Sequence, residues 1–264
     1  MAYLYETHLH TIQGSACGVS EGREYVKRYQ DLGYAGIIVT DHFYRGNCAV
    51  ERSLPWDRWV HKFCMGYEDA REEGARRGLD VFFGWEETFD GDDYLVYGLD
   101  KEWLLQHPEV RRWTRKEQFD ETRSNGGCVV QAHPFRQHYY IKRVHLSPGC
   151  VDAVEAANGG NSEASYDALA WVYAKKARVP VTAGSDIHNV QDVKAETVFG
   201  VYLDKKIESI AGYVEAIRGN SVGVLKIPSG RCDLRGNEQV MLPVDIRDKK
   251  DRSTGRDLWD YLGI

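Results

Sequence analysis

Short apolar runs alternate with stretches of helical spacing along most of the chain, and this alternation predicts an α/β fold. The first strand is expected at about residues 3–8. The next, 36–40, carries Ile37, Ile38 and Val39 in succession, the continuous run of a parallel strand covered on both faces. Further strands are expected at 81–83, 94–97, 128–131, 153–156, 179–183 and 198–203. Helical spacing begins after Ser20, the expected N-cap, and runs to Leu32. It returns at 56–77, where Trp59, Phe63 and Tyr67 make an i, i+4, i+8 stripe closed by Gly78, and again at 114–125, 162–178 and 206–218. Repeated strand–helix units predict a parallel sheet, and closure into a barrel is the economical geometry for so many strands. The periodicity weakens after Gly219, so the expected organisation is a barrel over 1–219 with a C-terminal extension, 220–264, packed on it. Within that extension Lys249–Ser253 is expected to be a charged, solvated turn.

The ends of these strands carry the chemistry. His8 and His10 are two apart, so in an extended chain both imidazoles point to one face. Asp41 and His42 end the second strand, His133 the strand at 128–131, and Asp186 and His188 the strand at 179–183. Glu86 and Glu87 follow Val81–Phe83, and alternation lets only one of them face inward. Barrels of this kind keep their functional groups at the C-terminal strand ends, where all of these residues fall. Mixed imidazole and carboxylate donors suit zinc, manganese or iron. Asp41 is expected to orient a histidine rather than bind an ion.

Composition narrows the function. With a formal charge of −6 and a pI near 5.9, the chain lacks the basic balance of a broad nucleic-acid surface. Six cysteines without a C-x-x-C pair predict reduced thiols and a cytoplasmic setting, with Cys17 expected to be a small buried thiol. No run approaches the ~20 apolar residues of a membrane helix, and no secretory leader is expected. Nothing in the pattern specifies an oligomeric state.

In order along residues 5–190, the motifs H-L-H-T, T-D-H-F, G-W-E, Q-A-H-P-F and G-S-D-I-H resemble the polymerase-and-histidinol-phosphatase (PHP) metallohydrolases. The resemblance implies a distorted seven-stranded β/α barrel of the TIM-like kind, two or three divalent metal ions (Zn, Mn or Fe) and hydrolysis of phosphate esters. Carried onto this chain, it implies His8 and His10 on a first metal with Glu86 and Asp186, and Glu86 bridging two ions. It also implies His42 and His133 at neighbouring positions, and His188 completing the set. Two positions depart from the family pattern. Ser15, Ala16 and Cys17 stand where an Asp or His is common, and Asp93 stands in for a usual histidine.

A phosphate ester anion repels nucleophiles, so hydrolysis at neutral pH needs positive charge and a pre-formed hydroxide, which paired ions provide. Arg136 and Arg45 follow strand-end histidines and are expected to grip phosphate with their planar guanidinium groups. Asn158, at another strand end, is a further candidate for orienting substrate. The expected activity is hydrolysis of a small phosphorylated metabolite as a phosphomonoester. The alternatives are a phosphodiesterase or exonuclease on nucleotides or short nucleic acid, or a non-catalytic metal-dependent binding module.

Overall fold

The structure is a computed structural model that describes residues 2–264. Its strands are β1 (Tyr3–Glu6), β2 (Gly36–Val39), β3 (Asp80–Phe89), β4 (Asp92–Tyr97), β5 (Cys128–Gln131), β6 (Val144–Leu146), β7 (Ala153–Asn158), β8 (Val181–Gly184), β9 (Gly200–Leu203), β10 (Leu225–Lys226) and β11 (Val244–Ile246). The helices are α1 (Gly22–Asp31), α2 (Trp56–Phe63), α3 (Met65–Arg77), α4 (Lys101–Gln106), α5 (Arg115–Ser124), α6 (Ala164–Ala177), α7 (Ile210–Arg218) and α8 (Leu258–Leu262). Nine strands form one sheet in the order β10-β9-β1-β2-β3-β4-β5-β7-β8, and β6 pairs with β11 beside it. This sheet nearly closes on itself. Beyond β1 and β8 the two chains run together, with Leu9 bridged to Ile187 and the Asp186 N–H donating to the His8 carbonyl at 2.8 Å. The outcome is an α/β fold around a barrel-like sheet.

The sheet is mixed, not parallel throughout, and it has nine strands where the resemblance implies seven. β4 lies antiparallel to both β3 and β5, and β9 antiparallel to β1 and β10. The cause at β4 is local. Asp90 (φ 56°) and Gly91 (φ 94°) form a two-residue turn with both residues left-handed, which folds the chain straight back without a crossover helix.

Alternation along the strands divides the apolar residues between two faces. Ile38, Phe82, Leu95 and Val130 meet Tyr5 and the α7 residues Tyr213, Val214 and Ile217. On the other face Ile37, Val39 and Val81 pack against Tyr25 and Tyr29 of α1, while Phe83 and Trp85 join the aromatic cluster of Phe43, Trp59 and Phe63. Several local expectations change. Glu21 and Glu24 form the capping box of α1, and Ser20 instead accepts the Val190 N–H at 2.9 Å. The stretch 56–77 is two helices interrupted at Cys64, and Gly78 (φ 81°) ends the second as expected. The 249–253 turn is not simply solvated: Asp251 accepts from Arg115, whose guanidinium is buried. All six cysteines are free thiols, and no described helix is long and apolar enough to cross a membrane.

Candidate metal centre

The rim of the sheet gathers side chains that are far apart in sequence. β1 runs on into His8 and His10, which are fully buried. His42 follows β2 and is bridged to Glu86 on the neighbouring β3; Asp93 lies on β4, His133 follows β5, and Asp186 and His188 follow β8. Four overlapping groups result: His10, His42 and His188; His8, His10 and Glu86; His8, His133 and Asp186; and Glu86, Asp93 and His133. Within each group, one donor atom per residue lies within 4.8 Å of the others. Thus the eight ligands expected from the sequence and the resemblance are all brought together. Glu86 is the inward-facing member of its pair; Glu87 turns away to accept from Arg45.

The rings are aimed by their outer nitrogens. His8 Nδ1 lies 3.0 Å from Glu155 Oε1, His10 Nδ1 is 3.0 Å from Ser15 Oγ, and His188 Nδ1 is 2.9 Å from the Asp186 carbonyl. Ser15 Oγ donates to Asp41 at 2.7 Å and so accepts from His10. With the proton on Nδ1 in each ring, the Nε2 lone pair turns inward, the arrangement of a metal-ligating histidine. Lone pairs then face lone pairs: His8 Nε2 is 3.1 Å from His10 Nε2 and 3.2 Å from Glu86 Oε1, and His10 Nε2 is 3.1 Å from Asp186 Oδ1. Glu86 Oε2 and His42 Nδ1 lie 2.8 Å apart, yet neither makes a hydrogen bond of normal geometry. Buried acceptors crowded in this way call for positive charge among them, as ring protons or as a bound cation, and imidazoles mixed with carboxylates fit a divalent metal. His133 (φ 28°) and Asp186 (φ 55°) are held in left-handed backbone, which costs about 1–3 kcal/mol each and persists where surrounding structure enforces it.

Burial opposes charge on Glu86 and Asp186, but both carboxyls are held well below the usual carboxylate range. His8 and His42 do this for Glu86, and His8 and Arg136 for Asp186. Burial likewise opposes protonation of His8, yet the carboxylates of Glu155, Asp186 and Glu86 push its pKa well up. His10 goes the other way, lowered by burial and by the neighbouring His188 and His42. Asp93 is pushed up to about 6, by burial first and then by the charge on Glu86.

A cavity of about 490 Å³ opens over this cluster, with Cys17, Arg45, Arg136, Tyr139 and Tyr140 on its walls. Arg136 donates to Asp186 (2.7 Å), Asn158 (2.6 Å) and Asn161 (2.9 Å), which leaves two of its five N–H groups for a ligand. Arg45 also lines the cavity, but Glu87 and the Trp113 carbonyl hold its guanidinium, and it rests on the Phe89 ring. Asp41 sits behind the cluster. It accepts from Thr11 and Ser15 and reaches His10 only through the serine, and burial raises it to about 6.

One participant escapes sequence reasoning, and a second is misjudged by it. Glu155 is buried on β7, where it anchors His8 and accepts from the His133 N–H (3.2 Å) and from Asn158 (2.8 Å). Its only signal is a lone acid among the apolar residues of a buried strand. Cys17 is the other: it is no isolated buried thiol but lines the cavity between His42 and His188. Burial raises its pKa, but the two imidazoles outweigh that and bring it down to about 6.

No family model matches the chain, and no curated protein matches it in sequence. Solved structures do match. A two-domain protein from Bacteroides vulgatus containing a predicted PHP-like metal-dependent phosphoesterase aligns with a TM-score of 0.63 and 17% identity, over 86% of this chain and 65% of that one. The chain therefore spans just under two-thirds of that protein. A protein from Bifidobacterium adolescentis described as a metal-dependent phosphoesterase aligns at 0.52 with 15% identity, over 83% of this chain and 97% of the other. PsfC from Pseudomonas syringae aligns at 0.54 with 14% identity, over 88% and 93%. At such identities these likenesses establish a shared architecture, and the fold of this chain is that of the PHP-like metal-dependent phosphoesterases.

Proposed function

We propose that the chain is a metal-dependent hydrolase of phosphate esters, acting on the phosphomonoester of a small metabolite. One observation carries this reading: imidazole and carboxylate donors from separate strand ends converge in a buried cluster, with ring lone pairs turned inward by outer hydrogen bonds. His8, His10, Glu86 and Asp186 would hold a first ion, with His133, Asp93, His42 and His188 at the adjoining positions. When bound, divalent ions there supply positive charge opposite the phosphoryl oxygens and acidity to a water molecule.

The chain's own groups do the rest. Arg136, braced by Asp186, Asn158 and Asn161, points its two free N–H groups at the phosphate oxygens from the cavity wall. Glu155 and Ser15 hold His8 and His10 in the tautomers that keep Nε2 unprotonated. Tyr139 and Tyr140, both exposed, line the cavity and offer aromatic surface to the organic part of the ester. A second cavity of about 640 Å³ shares Tyr139 with the first and is lined by Arg235, His138 and Gln239. It gives a larger leaving group somewhere to lie, which is what a diester substrate would use.

The test is phosphate release from a panel of monoesters and diesters by protein loaded with zinc, manganese or iron, beside chelated protein and Asp186→Ala. Metal-dependent release from monoesters supports the reading. Stoichiometric metal with no turnover of either ester class would overturn it in favour of a binding module.

A further inference from the structure

We propose that Cys17 is itself a metal ligand: its thiolate joins His42 and His188, with His10 beside them, in a sulfur-containing position at the cavity side of the centre. The inference rests on the metal-dependent reading above and adds a donor to it.

Three observations place the sulfur there. Cys17 lines the same cavity as His42 and His188, and its thiol faces both imidazoles. The imidazoles of His10, His42 and His188 offer nitrogens within 4.8 Å of one another, with the His10 ring centroid 4.4 Å from that of His42 and 4.3 Å from that of His188. Three imidazoles in one place leave a fourth position for another donor, and on the cavity side a thiolate can fill it. Next to it, Glu86 Oε2 is buried, lacks a hydrogen-bond partner and faces His42 Nδ1 at 2.8 Å, the mark of an ion position and not of a closed hydrogen-bond network.

The loop is built to hold the thiol in that place. On one side the Ala16 N–H donates to the Asn47 carbonyl (2.8 Å); on the other, Gly18 N–H donates to Ser15 (2.9 Å) and Val19 N–H to the His188 carbonyl (2.8 Å). Gly18 presses so close to the Thr11 carbonyl that a Cβ there would overlap it. The last of these bonds ties the Cys17 loop directly to the backbone of one proposed co-ligand.

The chemistry follows from the donors. On binding, the Cys17 S–H proton leaves to solvent and a sulfur electron pair forms the bond to the ion, so each thiol that binds releases one proton. A soft thiolate among imidazoles selects zinc over manganese or magnesium, which prefer oxygen donors. The centre would then be asymmetric, with a sulfur–nitrogen position facing the cavity and oxygen–nitrogen positions beneath it.

Zinc K-edge X-ray absorption on the zinc-loaded full chain tests this, with metal content measured on the same samples. A sulfur shell at ~2.3 Å is expected beside nitrogen and oxygen at ~2.0–2.1 Å. Cys17→Ser should lose that shell and bind zinc about 10-fold or more weakly, while Cys48→Ser should keep it. Cys17→Asp, which restores an anionic donor, should recover zinc stoichiometry without sulfur, and it covers the case in which the serine variant misfolds. A wild-type protein holding stoichiometric zinc in an all-nitrogen and oxygen shell overturns this inference and leaves the metal-dependent reading standing. A sulfur shell that survives in Cys17→Ser overturns it equally. A protein that takes up no divalent ion at all overturns both.

Discussion

Glu155 shows how much of the site depends on residues that touch no substrate. Its carboxylate fixes the His8 ring through Nδ1, and the other oxygen holds the His133 backbone and Asn158. Glu155→Gln can still accept from His8 but presents an NH₂ group to donors at the other end. Metal affinity should therefore fall ~10–100-fold with the fold retained, as for other outer partners of ligating histidines; a chelator competition giving wild-type affinity would refute this. Proton linkage gives a second expectation. Against the opposing effect of burial, His8 and His42 are held above the ordinary histidine pKa chiefly by surrounding carboxylates, and His188 chiefly by the Cys17 thiol and then by Asp186, so metal must displace protons from them. Affinity should rise with pH above the ordinary histidine range until those raised pKa values are passed, with net proton release on metal addition in weakly buffered solution. A flat profile would mean that the rings are already neutral. The ligand histidines were legible in the sequence because i, i+2 spacing and strand-end position are local facts. Glu155 was not, because a lone buried acid acquires its meaning only from what folds against it, and Cys17, though visible at a departure from the family pattern, was expected to be a small buried thiol because the rings beside it come from distant strand ends.

At the scale of elements, the antiparallel β3–β4 pair shows a signal that was present but outweighed. Asp90-Gly91 is a strong two-residue hairpin signature, and it breaks the strand–helix rhythm that suggested a wholly parallel sheet. Placing β4 beside β3 also brings Asp93 near Glu86 and His133, so the hairpin supplies part of the site. The crossing of α1 and α3 is less visible in sequence. Gly22 opens α1 with its Cα so near the Gly66 carbonyl of α3 that a Cβ would overlap it, and a Cβ on Gly66 would overlap Thr11, which donates to Asp41. Alanine in a helix is ordinarily better than glycine by up to ~1 kcal/mol. Here overpacking of ~1–3 kcal/mol should win, and Gly22→Ala should lower stability in chemical denaturation. A stabilised Gly22→Ala would show that the crossing relaxes freely. Glycine in a helix reads as a weakness in one dimension, and only the crossing shows what it permits.

For the molecule as a whole, the question is how the last part of the chain is tied to the site-bearing sheet. β11 pairs with β6, and Leu258, Tyr261 and Leu262 of α8 pack with Tyr173 of α6 and with Phe135, which lies just before Arg136. One polar tie is Arg115, 3% exposed, whose Nη1 donates to both oxygens of Asp251 at 3.0 Å. Charge composition alone made 249–253 look like solvent-facing punctuation, because burial of its partner on α5 is a long-range property. The two views make different predictions for Asp251→Ala. A solvated turn would lose well under ~1 kcal/mol, as surface ion pairs do. Removing one partner of a buried pair costs ~3–5 kcal/mol, and the lower end applies here because Asp90 (3.2 Å) and the Phe89 carbonyl (3.4 Å) still accept from Nη2. Denaturant unfolding should therefore show a loss of about 3 kcal/mol. Adding Arg115→Met, which withdraws the stranded charge and keeps much of its volume, should return a large part of that loss. If the double variant is no more stable than Asp251→Ala, the turn is held by its backbone bonds, and the ion pair only accompanies the docking of the C-terminal segment.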